Sequence, residues 1–144
     1  MSDLTPVASV GIVVFAEDSV LLVRHEAGAE HLINTYGLPS GRLEEGETYV
    51  SAAKRELAEE TGLITAEEDL MELPEKYTAE IPRKDGTTRL FFWIVFLCKA
   101  FSGELTVSNE TSPEWVKMSD IKKHQLLPNI ENAISQALRF RKEI

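Results

Sequence analysis

From Gly41 to Leu63 the chain reads GRLEEGETYVSAAKRELAEETGL. Gly41 is followed by Glu47, then by Arg55-Glu56-Leu57, Glu59-Glu60 and Gly62-Leu63. Residues 48–61 carry helix signals at both ends. Thr48 is a good N-cap type, although the capping-box acid is missing three residues on, where Ser51 stands. Gly62 suits the left-handed residue that ends a helix. Val50, Ala53 and Leu57 recur at helical spacing and form the expected buried stripe. Glu56, Glu59 and Glu60 stand at i, i+3 and i+4, so they share a face turned roughly 100° from that stripe. Like charges so placed destabilise an isolated helix, and a cationic partner is expected. An arbitrary acidic helix face is usually just solvated. Here the flanking glycines, Glu47 and Arg55 point instead to capture of a divalent metal and phosphate chemistry. Mg²⁺ takes hard oxygen ligands and is commonly held by one or two carboxylates plus substrate phosphate. Gly41 would let the backbone approach such an ion closely.

Outward from this stretch, residues 7–16 are rich in Val and Ile and read as a buried strand. Glu17-Asp18 gives a turn, and residues 20–25 form a second strand, paired with the first as a hairpin. Residues 26–35 are polar and read as a loop. Residues 36–41, YGLPSG, are loop with short extended pieces, because Gly and Pro punctuate them. Residues 77–81 and 87–99 are strands around Lys84-Asp85-Gly86, where Asp-Gly is a strong hairpin signal. The second, TTRLFFWIVFLCK, is apolar nearly throughout and is expected to be central and covered on both faces. Residues 104–107 and 114–117 are read as short strands. Residues 129–141 form a closing amphipathic helix behind Pro128, with Ile130, Ala133, Ile134, Ala137 and Leu138 on one side. Strands and helices alternate without a regular βαβ repeat, which predicts a mixed sheet between helices.

At 144 residues the chain suits one domain with a proper core. The net charge of −9 argues against nucleic-acid or anionic-membrane partners, which need basic patches. An anionic substrate would need cations to approach. Cys98 is the one cysteine, so no intrachain disulfide forms, and its place in an apolar run predicts a buried thiol. The N-terminus lacks the pattern of a signal peptide and no apolar run is long enough to span a bilayer, so the default location is cytoplasmic.

The spaced residues Gly41, Glu47, Arg55-Glu56-Leu57, Glu59-Glu60 and Gly62-Leu63 resemble the complete signature of the Nudix hydrolase family, of the MutT-like kind. Tyr36-Gly37-Leu38-Pro39 looks like the family's aromatic-x-Leu-Pro lead-in. Glu110, followed by Trp115-Val116, is similar to the acidic residue and Trp-hydrophobic pair that members carry downstream. The resemblance implies an α/β fold, an α/β/α sandwich with a mixed β-sheet between helices, as a single domain over residues 1–144. It implies Mg²⁺ or Mn²⁺ and hydrolysis of a nucleoside diphosphate linked to another moiety. Carried over residue by residue, Glu56, Glu59 and Glu60 would be metal ligands, joined by the backbone carbonyl of Gly41. Glu56 or Glu110 would help activate water. Arg55 would pair with Glu47 and orient the loop against the helix. Ser40 departs from the common Pro-Gly-Gly, which predicts altered loop geometry or substrate preference rather than lost activity.

A (deoxy)nucleoside triphosphate or modified nucleotide is the favoured substrate, because no separate recognition domain is evident. ADP-ribose or a nucleotide sugar is the alternative, as is a non-catalytic nucleotide-binding protein on the same scaffold. An isoprenoid-diphosphate isomerase would need a catalytic Cys–Glu pair, and Cys98 is remote in sequence from the motif. Arg24 and Arg89 rank first among basic residues as substrate contacts. Phe91, Phe92 and Trp93 are read as core before base-stacking groups, and Trp115 as core. His25, His31 and His124 show no metal-ligand spacing and are read as surface or loop residues. Dimers are common in the family, which leaves a homodimer open.

Overall fold

β-branched and aromatic residues crowd residues 7–16, and such side chains suit a pleated, covered surface. In the computed structural model, which describes residues 5–25, 34–82, 85–107 and 111–141, they form strand β1 (Val7–Ala16). Glu17, in the left-handed region at φ 56°, turns the chain into β2 (Ser19–His25). The expected hairpin is present but short. Among the described residues β1 and β2 pair at Phe15↔Val20 and Ala16↔Ser19, and then part. Residues 36–42 run into the gap. β3 (Tyr36–Gly37) pairs with β2, Leu38-Pro39 redirects the chain, and β4 (Ser40–Arg42) pairs with β1. Gly41 thereby lies opposite Val10.

β5 (Leu70–Pro82) and β6 (Thr88–Cys98) form a long antiparallel pair. β6 also runs parallel to β1, from Val7↔Phe91 to Val14↔Cys98. β7 (Thr111–Lys117) pairs antiparallel with β2. The resulting order is β3-β2-β1-β6-β5, with β4 on β1 and β7 on β2, so the sheet is mixed as its patterning predicts. Helix α1 (Tyr49–Thr61) covers one face, where Ala52, Ala53 and Leu57 meet Val10, Ile12, Val14, Ile94 and Phe96. Helix α2 (Ile130–Arg141) covers the other, where Ala133, Ile134 and Ala137 meet Val13, Val95 and Leu97. β6 thus feeds both cores, which makes its C-terminal half the doubly covered strand expected from its composition. Leu57 is fully buried, a contribution of about 1.5–3 kcal/mol for a side chain of that size. No helix among the described residues is long and apolar enough to cross a membrane.

Several readings need correction. β5 begins at Leu70 rather than at residue 77, because the ladder tolerates Pro74: the register jumps from Glu72↔Phe96 to Lys76↔Ile94, so the missing N–H falls in an irregularity. Residues 104–107 are not a strand. They cross the end of α1, where the Thr106 N–H donates to the Thr61 carbonyl at 2.9 Å. β7 starts at Thr111, earlier than residue 114. Trp115 is not core; it is 36 % exposed, its ring 5.8 Å from that of Phe101. His25 is buried at the end of β2, not a surface histidine. His31 lies outside the described residues.

The termini of α1 follow their sequence signals. The Thr48 hydroxyl accepts the Ser51 N–H at 3.2 Å. Gly62 adopts φ 88° and its N–H donates to the Ala58 carbonyl. A Cβ on Gly62 would come 2.5 Å from the Glu104 carbonyl oxygen, so both conformation and space demand glycine. Gly62→Ala is expected to lower unfolding free energy by about 2 kcal/mol or more. Urea titration followed by circular dichroism checks this; unchanged stability would show that the close approach relaxes at no cost.

Candidate active site

Glu47 precedes the N-cap of α1, and Arg55 follows two turns along the helix. The Arg55 guanidinium grips Glu47 with two bonds, Nε to Oε2 at 2.7 Å and Nη2 to Oε1 at 2.8 Å. Its Nη2 also donates to the Arg42 carbonyl at 3.0 Å. Its Nη1 donates to Glu56 at 2.7 Å and to Glu59 at 3.0 Å. All five N–H donors of the fork are therefore used, a task that a lysine could not perform. Glu44 adds its backbone N–H to Glu47 Oε1 at 2.8 Å. Loop, strand β4 and helix α1 are tied together at this one side chain.

Glu56 explains Gly41. A Cβ on Gly41 would fall inside the Glu56 carboxylate. The reading that this glycine admits backbone close to an ion therefore has a steric counterpart: the missing side chain leaves a cradle for a carboxylate. The Glu56 side chain is 14 % exposed, against 58 % for Glu59. Glu59 thus faces solvent, whereas Glu56 is held within the protein. Glu60 reaches β4 from the next position, its Oε1 accepting the Ser40 N–H at 3.0 Å. Ser40, where the family's usual glycine is absent, contributes by its backbone.

The two partners of Arg55 are pulled in opposite directions. Hydrogen bonding from Arg55, then from the Glu44 N–H, holds the Glu47 carboxyl down at about 2. Burial pushes Glu56 above the usual carboxylate range, against the pull of Arg55. Arg55 itself is raised, first by its bond to Glu47. Glu56 is thus a desolvated acid that gains from any additional cation.

The expected metal ligands share one region without closing into a cage. Among the described residues no three His, Cys, Asp or Glu side chains converge as a group able to hold an ion. Glu56 and Glu59 are drawn to Arg55, and Glu60 to Ser40. The donor chemistry nevertheless fits a hard divalent cation. Three carboxylates and the Gly41 backbone offer oxygen only, and the Gly41 cradle brings one carboxylate against that backbone.

Arg24 and Arg89 are not part of this cluster. Arg24 faces Glu114 on the neighbouring strand, with 3.8 Å between Nε and Oε2. Arg89 sits at the start of β6 opposite Ile81, on the same side of its strand as Phe91 and Trp93 by alternation. Glu110 lies outside the described residues. Behind β4 the structure adds a feature that the sequence did not announce. A shallow, mostly apolar cleft is lined by Gly11, Leu38, Ser40, Tyr77, Trp93 and Asn129, among others. Trp93 lies opposite Tyr77 in the β5–β6 register, so it serves as cleft wall as well as core edge. The Asp85-Gly86 signal announces the β5–β6 pairing, but not the register that sets Trp93 against Tyr77.

A profile of the NUDIX domain matches residues 5–137. The chain is 30 % identical over 132 residues to an 8-oxo-dGTP diphosphatase of Escherichia coli (strain K12), covering 92 % of this chain and 95 % of that one. It is 38 % identical over 98 residues to an 8-oxo-dGDP phosphatase of Homo sapiens, covering 68 % of this chain but 26 % of that larger protein. In three dimensions it is similar to a MutT NUDIX hydrolase from Burkholderia pseudomallei, with a TM-score of 0.73 at 23 % identity, covering 92 % and 98 % of the two chains. The chain belongs to the NUDIX family. Its reaction class is hydrolysis of a nucleotide pyrophosphate bond.

The depressed Glu47 gives a pH prediction. A folded-state pKa near 2, against an ordinary 4.5, stabilises the fold above the unfolded value, and that stability is lost as pH falls from 4.5 toward 2. Glu47→Gln in metal-free buffer should therefore lose stability at neutral pH and show a flatter acid limb through that window. Thermal melts from pH 7 to 2 check it; parallel curves for the two proteins would mean the ion pair is not holding the loop.

Proposed function

We propose that the chain hydrolyses a (deoxy)nucleoside triphosphate, ordinary or base-modified, with a divalent cation, Mg²⁺ or Mn²⁺, as cofactor. The observation that carries this is the double role of β4. Ser40 lines the apolar cleft, while its N–H holds Glu60 and its neighbour Gly41 cradles Glu56. A base seated in the cleft would have its phosphates directed past β4 toward the acidic face of α1. Tyr77 and Trp93 offer aromatic surface there, and Asn129 a polar edge. Names of relatives that include 8-oxo-dGTP and 8-oxo-dGDP support a purine nucleotide as substrate.

The cation would be held by Glu56, Glu59, Glu60 and the Gly41 carbonyl. Once bound, it would neutralise phosphate charge and make a bound water more acidic. The chain's own groups do the rest. Arg55 and Glu47 fix the loop against the helix, and so set where Glu56 and the Gly41 carbonyl stand. Glu56 or Glu110 accepts the proton of the attacking water. Water oxygen bonds to phosphorus, the bridging P–O bond breaks, and the leaving phosphate departs with its electron pair. Arg24 and Arg89 are the basic residues nearest to a substrate role. In a protein of net charge −9, cations are also what lets a polyphosphate approach. The same reading assigns the whole of residues 1–144 to one catalytic domain, a free nucleotide rather than nucleic acid or membrane as partner, and a cytoplasmic setting. It leaves room for a homodimer.

The test is a Mg²⁺-supported panel of ordinary nucleoside triphosphates, 8-oxo-dGTP, ADP-ribose, nucleotide sugars and 5′-triphosphorylated RNA, with products separated by chromatography. Triphosphate cleavage that EDTA abolishes is expected. Cleavage confined to ADP-ribose or nucleotide sugars would replace the substrate reading. Glu56→Gln should cut kcat by on the order of 100-fold or more while the protein still melts cooperatively. Glu59→Gln should weaken Mn²⁺ binding measured by electron paramagnetic resonance. Wild-type turnover and Mn²⁺ affinity in these variants would sink the ligand assignment.

A further inference from the structure

α2 buries a polar residue on its apolar side. Gln136 is 1 % exposed, between Ala133 and Ala137, which pack on the sheet. A buried amide costs free energy unless its donors and acceptors are met. Gln136 meets them on β5. Its Oε1 accepts the backbone N–H of Glu75 at 3.1 Å, and its Nε2 donates to the Tyr77 hydroxyl at 3.4 Å. The Tyr77 hydroxyl in turn donates to Glu75 Oε2 at 3.1 Å. Arg139, one turn along α2, stands 3.5 Å from the other Glu75 oxygen. The Glu75 N–H is available to Gln136 because the β5 ladder is interrupted between Glu72 and Lys76. One irregularity in a strand and one glutamine on a helix therefore close a circuit around a single tyrosine.

That tyrosine is a wall of the cleft. Tyr77 lies opposite Trp93 in the register, and both line the space bounded across from them by Ala133 and Ile130 of α2. Burial, and then Glu75, push the phenol up to about 12, so it stays protonated at neutral pH and its proton is directed at Glu75. The ring then presents its apolar surface to the cleft, while its polar end is spent on the circuit.

We propose that Gln136 is a positioning residue for the nucleoside subsite: by holding Glu75 and the Tyr77 hydroxyl it sets the place of the Tyr77 ring beside Trp93, and so the fit of the base. This rests on the reading of the cleft as the site of the nucleoside. Gln136 touches no substrate, and its effect passes through Tyr77. Loss of the circuit should loosen base binding and leave the chemistry at Glu56 intact, because the acidic face belongs to α1 and β4.

The experiment compares Gln136→Leu, Tyr77→Phe, the double variant and Trp93→Ala with the wild type, using the best triphosphate of the panel at saturating Mg²⁺. Gln136→Leu is expected to raise KM about tenfold with kcat within about twofold, the signature of weakened binding rather than weakened chemistry. Tyr77→Phe should shift KM in the same direction, and the double variant should exceed the larger single effect little, since both break one circuit. If Gln136→Leu does not fold, Tyr77→Phe, which removes a single oxygen, carries the test. Raised KM in Trp93→Ala with wild-type KM in both circuit variants overturns the role of Gln136 and leaves the cleft as nucleoside site. A fall in kcat at constant KM in those variants also overturns it. Wild-type KM in Trp93→Ala overturns the nucleoside reading and this proposal with it.

Discussion

The acidic face of α1 is tolerable because one guanidinium stands among its carboxylates. Arg55 takes Glu47, Glu56, Glu59 and the Arg42 carbonyl at once, and its planar fork is what allows four partners from three segments. Without it the helix would carry clustered like charge, and the loop before the N-cap would have no anchor. The cost falls on Glu56, which is held out of water and responds with a raised proton affinity. A carboxylate shifted by burial beside a specific charge partner is a functional-site candidate.

Strand β4 is the second part of the design. Three residues inserted where β1 and β2 separate serve both sides of the sheet. Toward α1 they offer the Ser40 N–H and the space above Gly41. Toward α2 they form one edge of the aromatic cleft. A substrate with a flat apolar end and a charged end matches that two-sided arrangement. The sandwich of helices supplies rigidity: α1 and α2 each pack small residues, Ala52 and Ala53 or Ala133 and Ala137, flat against the sheet.

Much of this was legible in the residues. β1 begins and ends where the Val- and Ile-rich run does, and α1 lies between its caps Thr48 and Gly62 as they require. The shared face of Glu56, Glu59 and Glu60 follows from spacing alone. What escaped the reading was non-local. The strand read from residue 77 begins at Leu70, because pairing with β6 carries on past an irregularity that accommodates Pro74. Trp115 looked like core by composition, yet its position on β7 leaves it half out beside Phe101. His25 looked polar and superficial, yet the return of residues 34–37 along β2 covers it. Residues 104–107 carry a plausible strand pattern, but the Thr106 N–H goes to the Thr61 carbonyl at the end of α1.

By itself the chain determined its local periods, its caps and its family signature, because these depend on residues within a few turns of one another. The tertiary structure decided which of those groups meet. That Gly41 is empty to house Glu56, that Ser40 holds Glu60, and that Gln136 reaches Tyr77 across 59 residues are consequences of strand order and helix docking. A carboxylate's environment is set by what the fold brings around it, and pairing between distant strands leaves no trace in the spacing of any one of them.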